Sequence, residues 1–132
     1  MHLLALFRPR HYNTASVYFG KYKFKAFIAD SFAKKMFGLM FWKGIGKKEC
    51  MLFVLDKPAK AGIWMLNMQF PIDIVWVSED KRVVSIVKNA EPCKGLFGCT
   101  VYYPDKPAKY ILEFGSKTAS KIGLRANSTL EW

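Results

Sequence analysis

The chain has 132 residues, enough for one domain with a substantial core, and its 52% apolar and 16% aromatic content excludes a disordered protein. Three cysteines are too few for a disulfide-dense secreted scaffold, and no run of about twenty apolar residues is present to span a membrane. The net charge of +11 is unevenly distributed, because residues 1–48 hold ten Lys or Arg against Asp30 alone, a net +9. This asymmetry predicts one basic face, which could bind nucleic acid or another anionic partner or could only keep the protein in solution.

Residues 1–20 form a leader. Leu3–Phe7 is too short for a signal-peptide core and has no basic residue before it. We therefore expect a cytoplasmic protein in which Leu3–Phe7 is a short strand or a terminal plug. Residues 8–16 lack an apolar period, which predicts a loop.

A hairpin and a helix are predicted next. Apolar and polar residues alternate over residues 17–29, and Gly20-Lys21 suits a tight turn. The second strand places its apolar side, beginning at Tyr22, towards the core and its lysines on the other side. Ser31 can cap a helix, and apolar residues at helical spacing predict an amphipathic helix over about 31–40.

Short apolar or alternating segments between turn residues predict the rest of the fold. The predicted strands are 50–55, 61–67, 72–77, 82–87, 109–114 and 129–132, with a loop over 88–100 and a short helix over 117–122. Many short strands with two small helices predict a mainly β single domain over residues 1–132. The expected architecture is a compact β-sandwich of the jelly-roll kind or a partly open barrel.

An ordered series of short motifs runs through residues 24–132. Its members are Gly38-Leu39-Met40, Met51-Leu52-Phe53, Trp64-Met65-x-Asn67-x-x-x-Pro71-Ile72-Asp73-Ile74, Ala90-x-Pro92-Cys93 with Cys99 and Tyr102, Tyr110-x-Leu112-Glu113, and Gly123-Leu124. The series resembles the DUF192 (UPF0127) family of uncharacterised proteins. The resemblance implies one compact β-rich domain with little helix and no established activity. The chain departs from the family pattern at Cys50, commonly glycine, and at Leu66 and Met68, commonly lysine and threonine.

Ile63–Val77 is the most apolar segment of the chain, yet it carries polar residues. A carboxylate at Asp73 is costly to bury unless hydrogen-bond donors surround it, so one interpretation is a structural aspartate that pins the Phe70-Pro71 turn. The other is a ligand-binding pocket. Trp64 would form its wall, Asn67 and Asp73 would be its polar contacts, and the Cys93–Cys99 loop would close one side.

The cysteines allow several interpretations. Cys93 and Cys99 flank a loop with two glycines, so a disulfide worth ~2 kcal/mol is sterically plausible, while free thiols or a redox switch remain alternatives. The spacing is not C-x-x-C, and only Cys50 and two histidines could add ligands, so no metal or cofactor is predicted. We assign no catalytic residue, because no motif supports Cys50 as a nucleophile or Asp73 with Glu113 as a carboxylate dyad.

Five lysines are candidate contacts for an anion or a nucleic acid: Lys21, Lys23, Lys25, Lys47 and Lys48. The first three alternate with aromatic residues, as in some nucleic-acid platforms, and the last two follow Gly44-Ile45-Gly46. We expect a non-enzymatic domain that binds a small molecule or a peptide. The alternatives are a nucleic-acid-binding protein that uses the basic face of residues 1–48, and an uncharacterised hydrolase or thiol-redox enzyme.

Overall fold

A computed structural model of the chain describes residues 2–93, 95 and 97–132. The strands and helices are β1 (Thr14–Phe19), β2 (Tyr22–Ala29), α1 (Phe32–Phe37), β3 (Glu49–Ala59), β4 (Ile63–Trp64), β5 (Ile72–Val77), β6 (Val83–Ala90), β7 (Val101–Tyr102), β8 (Ala108–Gly115) and α2 (Thr118–Ile122). The prediction of a mainly β domain with two short helices is confirmed. No helix in the part of the chain that the structure describes is long and apolar enough to cross a membrane.

Six strands form one mixed sheet in the order β1-β2-β3-β8-β5-β6, while β4 and β7 form a separate antiparallel pair. The sheet is open and does not close into a barrel. Within this sheet β2 and β3 pair in parallel, so the connection between them must cross over the sheet. This crossover contains α1 and the loop 38–48, and its Leu39 packs against the sheet.

Alternation along β5 and β8 gives the sheet two covered faces. Asp73 pairs with Phe114 and Ile74 pairs with Glu113, so the two carboxyl groups point to opposite faces. We call these the Asp73 face and the Glu113 face. The Asp73 face packs against α2 and the chain that follows it, through Ala119, Leu124 and Leu130. The Glu113 face packs against the crossover and the β4 region, through Leu39, Met65 and Met68.

Three segments near the start of the chain differ from the prediction. Strand β1 begins at Thr14, inside the predicted loop 8–16. Leu3–Phe7 is a single 3-10 helix with no buried residue, rather than a strand or a plug, and the His2 ring accepts a hydrogen bond from the Leu4 N–H at 3.2 Å. Helix α1 ends at Phe37, three residues before the predicted end, because Gly38 takes a φ of 49° and leaves the helical conformation.

The segment 127–131 links the two edges of the sheet, where the sequence predicts a strand over 129–132. Thr129 bridges Arg82 beside β6, and Glu131 exchanges backbone hydrogen bonds of 2.8 and 3.0 Å with Tyr18 of β1. The segment forms isolated bridges rather than a strand, because it passes from one edge to the other instead of following either one.

Candidate functional site

Asp73 is completely buried on the Asp73 face, and backbone donors satisfy its carboxylate. Oδ2 accepts a hydrogen bond from the Ala119 N–H at 2.8 Å, and Oδ1 accepts one from the Asn89 N–H at 2.9 Å and a longer one from the Lys117 N–H at 3.4 Å. Lys117, the N-cap residue of α2, makes no side-chain cap of its own. Asp73 therefore supplies the acceptors for the start of α2 from the neighbouring sheet, which is a structural arrangement.

A cavity of about 250 Å³, the Glu113 cavity, opens on the other face of the sheet. Its lining comes from the crossover, the sheet and the β4 region: Lys35–Met40, Phe53, Gly62–Trp64, Met68 and Glu113. Glu113 is only 3% exposed, and burial raises its pKa to about 8. No hydrogen bond or ion pair to its carboxyl group comes from another described residue. A neutral carboxyl group can donate one hydrogen bond and accept others, so Glu113 presents both to the cavity.

Gly38 and Lys35 shape the cavity from the crossover. A Cβ atom at Gly38 would lie 3.0 Å from the Phe53 ring and 3.7 Å from Oε1 of Glu113, so a side chain there would fill the space above the carboxyl group. Lys35 lines the same cavity, and its Nζ lies 3.5 Å from Oδ1 of Asp56. The cavity thus combines a neutral acid with a cation held by a single exposed partner.

Trp64 forms one side of the cavity, and it is 41% exposed. Met36, also lining the cavity, is more than half exposed, so the entrance is apolar. Val101 and Tyr103 extend this apolar surface, since a Cβ atom at Gly62 would lie 2.7 Å from both of their side chains. An apolar entrance above an unpaired polar group is the usual composition of a small-ligand site.

Asn67 does not line the Glu113 cavity, although it contacts Met40, which lines the cavity, and the neighbouring Phe41. Its φ is 60°, a left-handed conformation that asparagine tolerates better than most residues. Its carbonyl accepts a hydrogen bond from the Phe41 N–H at 3.0 Å, and its Nδ2 contacts the Met40 sulfur at 3.9 Å. Asn67 therefore fastens the β4–β5 loop to the crossover. Of the three predicted pocket residues, the structure brings only Trp64 into the cavity.

The cysteines lie away from the Glu113 cavity. Cys93 and Cys99 are joined as a disulfide with their Cα atoms 5.5 Å apart, and Cys93 N–H donates to the Met65 carbonyl at 3.0 Å. The loop that they close borders a separate hollow with Met65 and Tyr102. Cys50 is buried on the Asp73 face, and burial raises the pKa of its thiol, which disfavours the thiolate needed for nucleophilic attack. Among the described residues, no group of three or more His, Cys, Asp or Glu could hold a metal ion.

The five predicted lysines lie together in a second concavity, the lysine groove, of about 800 Å³. It forms where β2 extends beyond the start of β3, between the loop 47–48 and α2. Two lysines from the α2 region, Lys117 and Lys121, complete the set of seven, and all seven are exposed. Sequence order could not associate these two with the others, because about seventy residues separate them from Lys48.

Glu113 is the cavity residue to which the sequence analysis assigns no role. A dyad with Asp73 is impossible, because neighbouring positions in the β5–β8 register send their side chains to opposite faces. The available signal was a carboxyl group in the middle of an alternating apolar strand, where Ile111 and Glu113 share one side. A charged residue type at such a position is uncommon in a strand buried on both faces.

Comparisons with known proteins find relatives over nearly the whole chain. The family profile described as "Uncharacterized ACR, COG1430" (DUF192) matches residues 15–132, beginning before the motif series at residue 24. A UPF0127 protein of Thermococcus kodakarensis is 33% identical over 89 residues, covering 67% of this chain and 52% of the relative, so the chain spans about half of that protein's length.

Two solved structures share the fold. A protein of unknown function from Novosphingobium aromaticivorans is 30% identical, with a TM-score of 0.82 over 90% of this chain and 85% of its own. A protein from Sinorhizobium meliloti, provisionally described as a transcription regulator, gives a TM-score of 0.84 at 21% identity, covering 93% and 96% of the two chains. At that identity the likeness concerns the fold alone.

Proposed function

We propose that this chain, which belongs to the DUF192 family of uncharacterised function, is a non-enzymatic domain that binds a small molecule or a peptide end in the Glu113 cavity. One observation carries this proposal: Glu113 is buried without a protein partner and opens into a cavity beside the exposed Trp64. Burial favours the neutral form of Glu113, and its carboxyl group takes its hydrogen bonds from molecules in the cavity, which favours a role in binding.

The size and chemistry of the cavity restrict the ligand. A volume of about 250 Å³ is at the small end of ligand sites, which suits a fragment-sized molecule or the last residue of a peptide. Neutral Glu113 can donate to a carbonyl or carboxylate oxygen, while Lys35 supplies a positive charge. A peptide with a free carboxyl end and an apolar last side chain combines these requirements.

The described residues support binding better than hydrolysis or thiol chemistry. Asp73 uses its carboxylate to hold backbone N–H groups, and Cys50 is buried with a raised thiol pKa. Neither group is positioned to act on a ligand in the Glu113 cavity, because both belong to the Asp73 face.

Binding is tested by nuclear magnetic resonance titration of the labelled chain with dipeptides that carry an apolar last residue and either a free or an amidated carboxyl end. We expect the free-acid peptides to shift the backbone signal of Gly38 and the indole signal of Trp64. Trp64→Ala should weaken binding about fivefold or more, since an aromatic wall contributes on the order of 1 kcal/mol.

Phe32→Ala is the matched control, because Phe32 is a more exposed aromatic residue that does not line the cavity. It should leave the affinity unchanged. Signal shifts confined to other parts of the protein, or equal effects of the two alanine substitutions, would contradict the proposal.

A further inference from the structure

We propose that the lysine groove binds single-stranded nucleic acid without sequence preference, as a second site independent of the Glu113 cavity. Seven exposed lysines from three separate parts of the chain line the groove, and none of the described residues that line it is acidic. The ammonium groups of Lys23 and Lys25 lie over the Tyr18 and Phe27 rings on the far side of β2, so these two lysines contribute from its edge. Concave surfaces lined by charges of one sign focus the electrostatic potential, which attracts a polyanion more strongly than the same charges spread over a convex surface.

The floor of the groove is apolar, which suits the faces of unpaired bases. Tyr22 and Ile122 lie half-buried among the lysines, and Phe24 is buried beneath them. Lys21 Nζ lies 5.5 Å from the centre of the Tyr22 ring, so a cation and an aromatic face are presented together. Single-stranded nucleic acid alternates phosphates with apolar bases, and lysines beside aromatic residues complement both parts.

The backbone adds a donor to the groove at Lys23. Tyr18 pairs with Lys23 across the β1–β2 hairpin, but the N–H and C=O groups of Tyr18 bond to Glu131 on its outer side. In an antiparallel ladder this makes Tyr18 and Lys23 a non-hydrogen-bonded pair, so the polar backbone groups of Lys23 point away from β1. Pairing with β3 begins only at Lys25, which leaves the Lys23 N–H directed towards the groove for a phosphate oxygen.

The lining favours nucleic acid over a membrane surface. All seven cations are lysines, which bind phosphate as point charges and lack the fork geometry that arginine offers to phosphates and carboxylates alike. The most exposed apolar side chains, Phe7, Phe32 and Phe97, do not line the groove, so no apolar anchor accompanies the charges as membrane binding requires. Point charges and a sequence-tolerant apolar floor predict binding that does not depend on base sequence.

The test is a fluorescence anisotropy titration of the full chain with labelled oligo(dT) and with an oligonucleotide of mixed sequence. We expect similar affinities for both. If about four lysines contact phosphates, the affinity should fall about 50-fold between 50 and 200 mM salt, since the logarithmic slope is about −0.7 per contact for single strands.

Two double charge reversals of equal net charge identify the site. Lys21→Glu with Lys121→Glu changes opposite walls of the groove, and Lys57→Glu with Lys60→Glu changes exposed lysines outside it, so both lower the formal charge from +11 to +7. The groove variant should weaken oligo(dT) binding about tenfold or more at 50 mM salt, and the control variant about threefold or less. Lys21→Arg with Lys121→Arg keeps the charges and should bind like the unmodified protein.

Several results would overturn the proposal. These are the absence of oligo(dT) binding at 50 mM salt, equal losses in the two charge-reversal variants, and loss of binding in the arginine variant while circular dichroism shows it folded. Displacement of oligo(dT) by polyglutamate or by phosphatidylserine vesicles at equal charge concentration would assign the groove to an acidic protein or a membrane instead.

Discussion

Replacing Glu113 with glutamine should remove a pH dependence from the stability of this protein. Burial raises the pKa of Glu113 from its ordinary value of 4.5 to about 8, so the folded chain holds a proton that the unfolded chain releases between these values. The stabilisation from the bound proton is complete below pH 4.5 and is lost as the pH rises through 8. Glutamine has nearly the same shape and no proton to lose.

The magnitude follows from the two pKa values. Each pH unit corresponds to about 1.4 kcal/mol for one proton, so the free energy of unfolding of the unmodified protein should fall by about 5 kcal/mol relative to Glu113→Gln over this range, as an upper limit. That loss is comparable to the whole stability of many domains, which is roughly 5–15 kcal/mol. Near neutral pH the variant should therefore be the more stable protein.

The measurement is urea denaturation, followed by tryptophan fluorescence, at intervals from pH 4.5 to pH 8. Glu91→Gln is the control, because Glu91 is exposed and undergoes the same chemical change. The difference between unmodified protein and Glu113→Gln should grow steadily with pH, while the difference for Glu91→Gln stays flat. Parallel curves for all three proteins would refute the assignment of a proton to Glu113.

Three further substitutions or treatments test other parts of the structure. In Asp73→Asn the new side chain cannot accept from all the N–H donors that surround position 73. The free energy of unfolding should fall by about 3 kcal/mol, which lowers the unfolding midpoint by about 10 °C. Asp56→Asn, at an exposed site, should lower the free energy of unfolding by less than about 1 kcal/mol. Gly38→Ala should lower the free energy of unfolding by about 2 kcal/mol in urea denaturation and abolish peptide binding, because Gly38 has a positive φ and faces Phe53. Gly44→Ala is the control, because open space surrounds Gly44, and it should change stability by less than about 0.5 kcal/mol. Thiol titration in denaturant should find Cys50 alone before reduction and three thiols after it, and reduction should cost about 2 kcal/mol; three thiols without reductant would exclude the bridge.

Local patterns in the sequence predict much of the sheet. The alternation over residues 72–77 correctly places Asp73 opposite Ile72 and Ile74, because side chains of a strand must alternate between faces. The hairpin at Gly20 is also correct, since its positive φ suits glycine. These features depend only on neighbouring residues, which the sequence shows directly.

The candidate site could not be predicted in the same way, because its residues come from distant segments. Glu113, Trp64 and Gly38 meet only when the β2–β3 crossover lies over β8 and β4. The Asp73 carboxylate likewise accepts a hydrogen bond from the first turn of α2, which begins forty-five residues later (118 minus 73), rather than from the nearby Phe70-Pro71 turn. Pairing between such segments depends on the order of strands in the sheet, which periodicity does not reveal.

The segment 127–131 has a consequence for how the protein folds. Its contacts with Tyr18 and Arg82 join residues that are up to 113 positions apart (131 minus 18), and a sheet with such long-range pairings is expected to fold slowly. During synthesis at about 5–20 residues per second, β1 and β6 must wait with unpaired outer backbone groups until this segment emerges. The nascent chain is therefore most exposed to aggregation during that interval, and chaperone dependence should increase if the segment is altered.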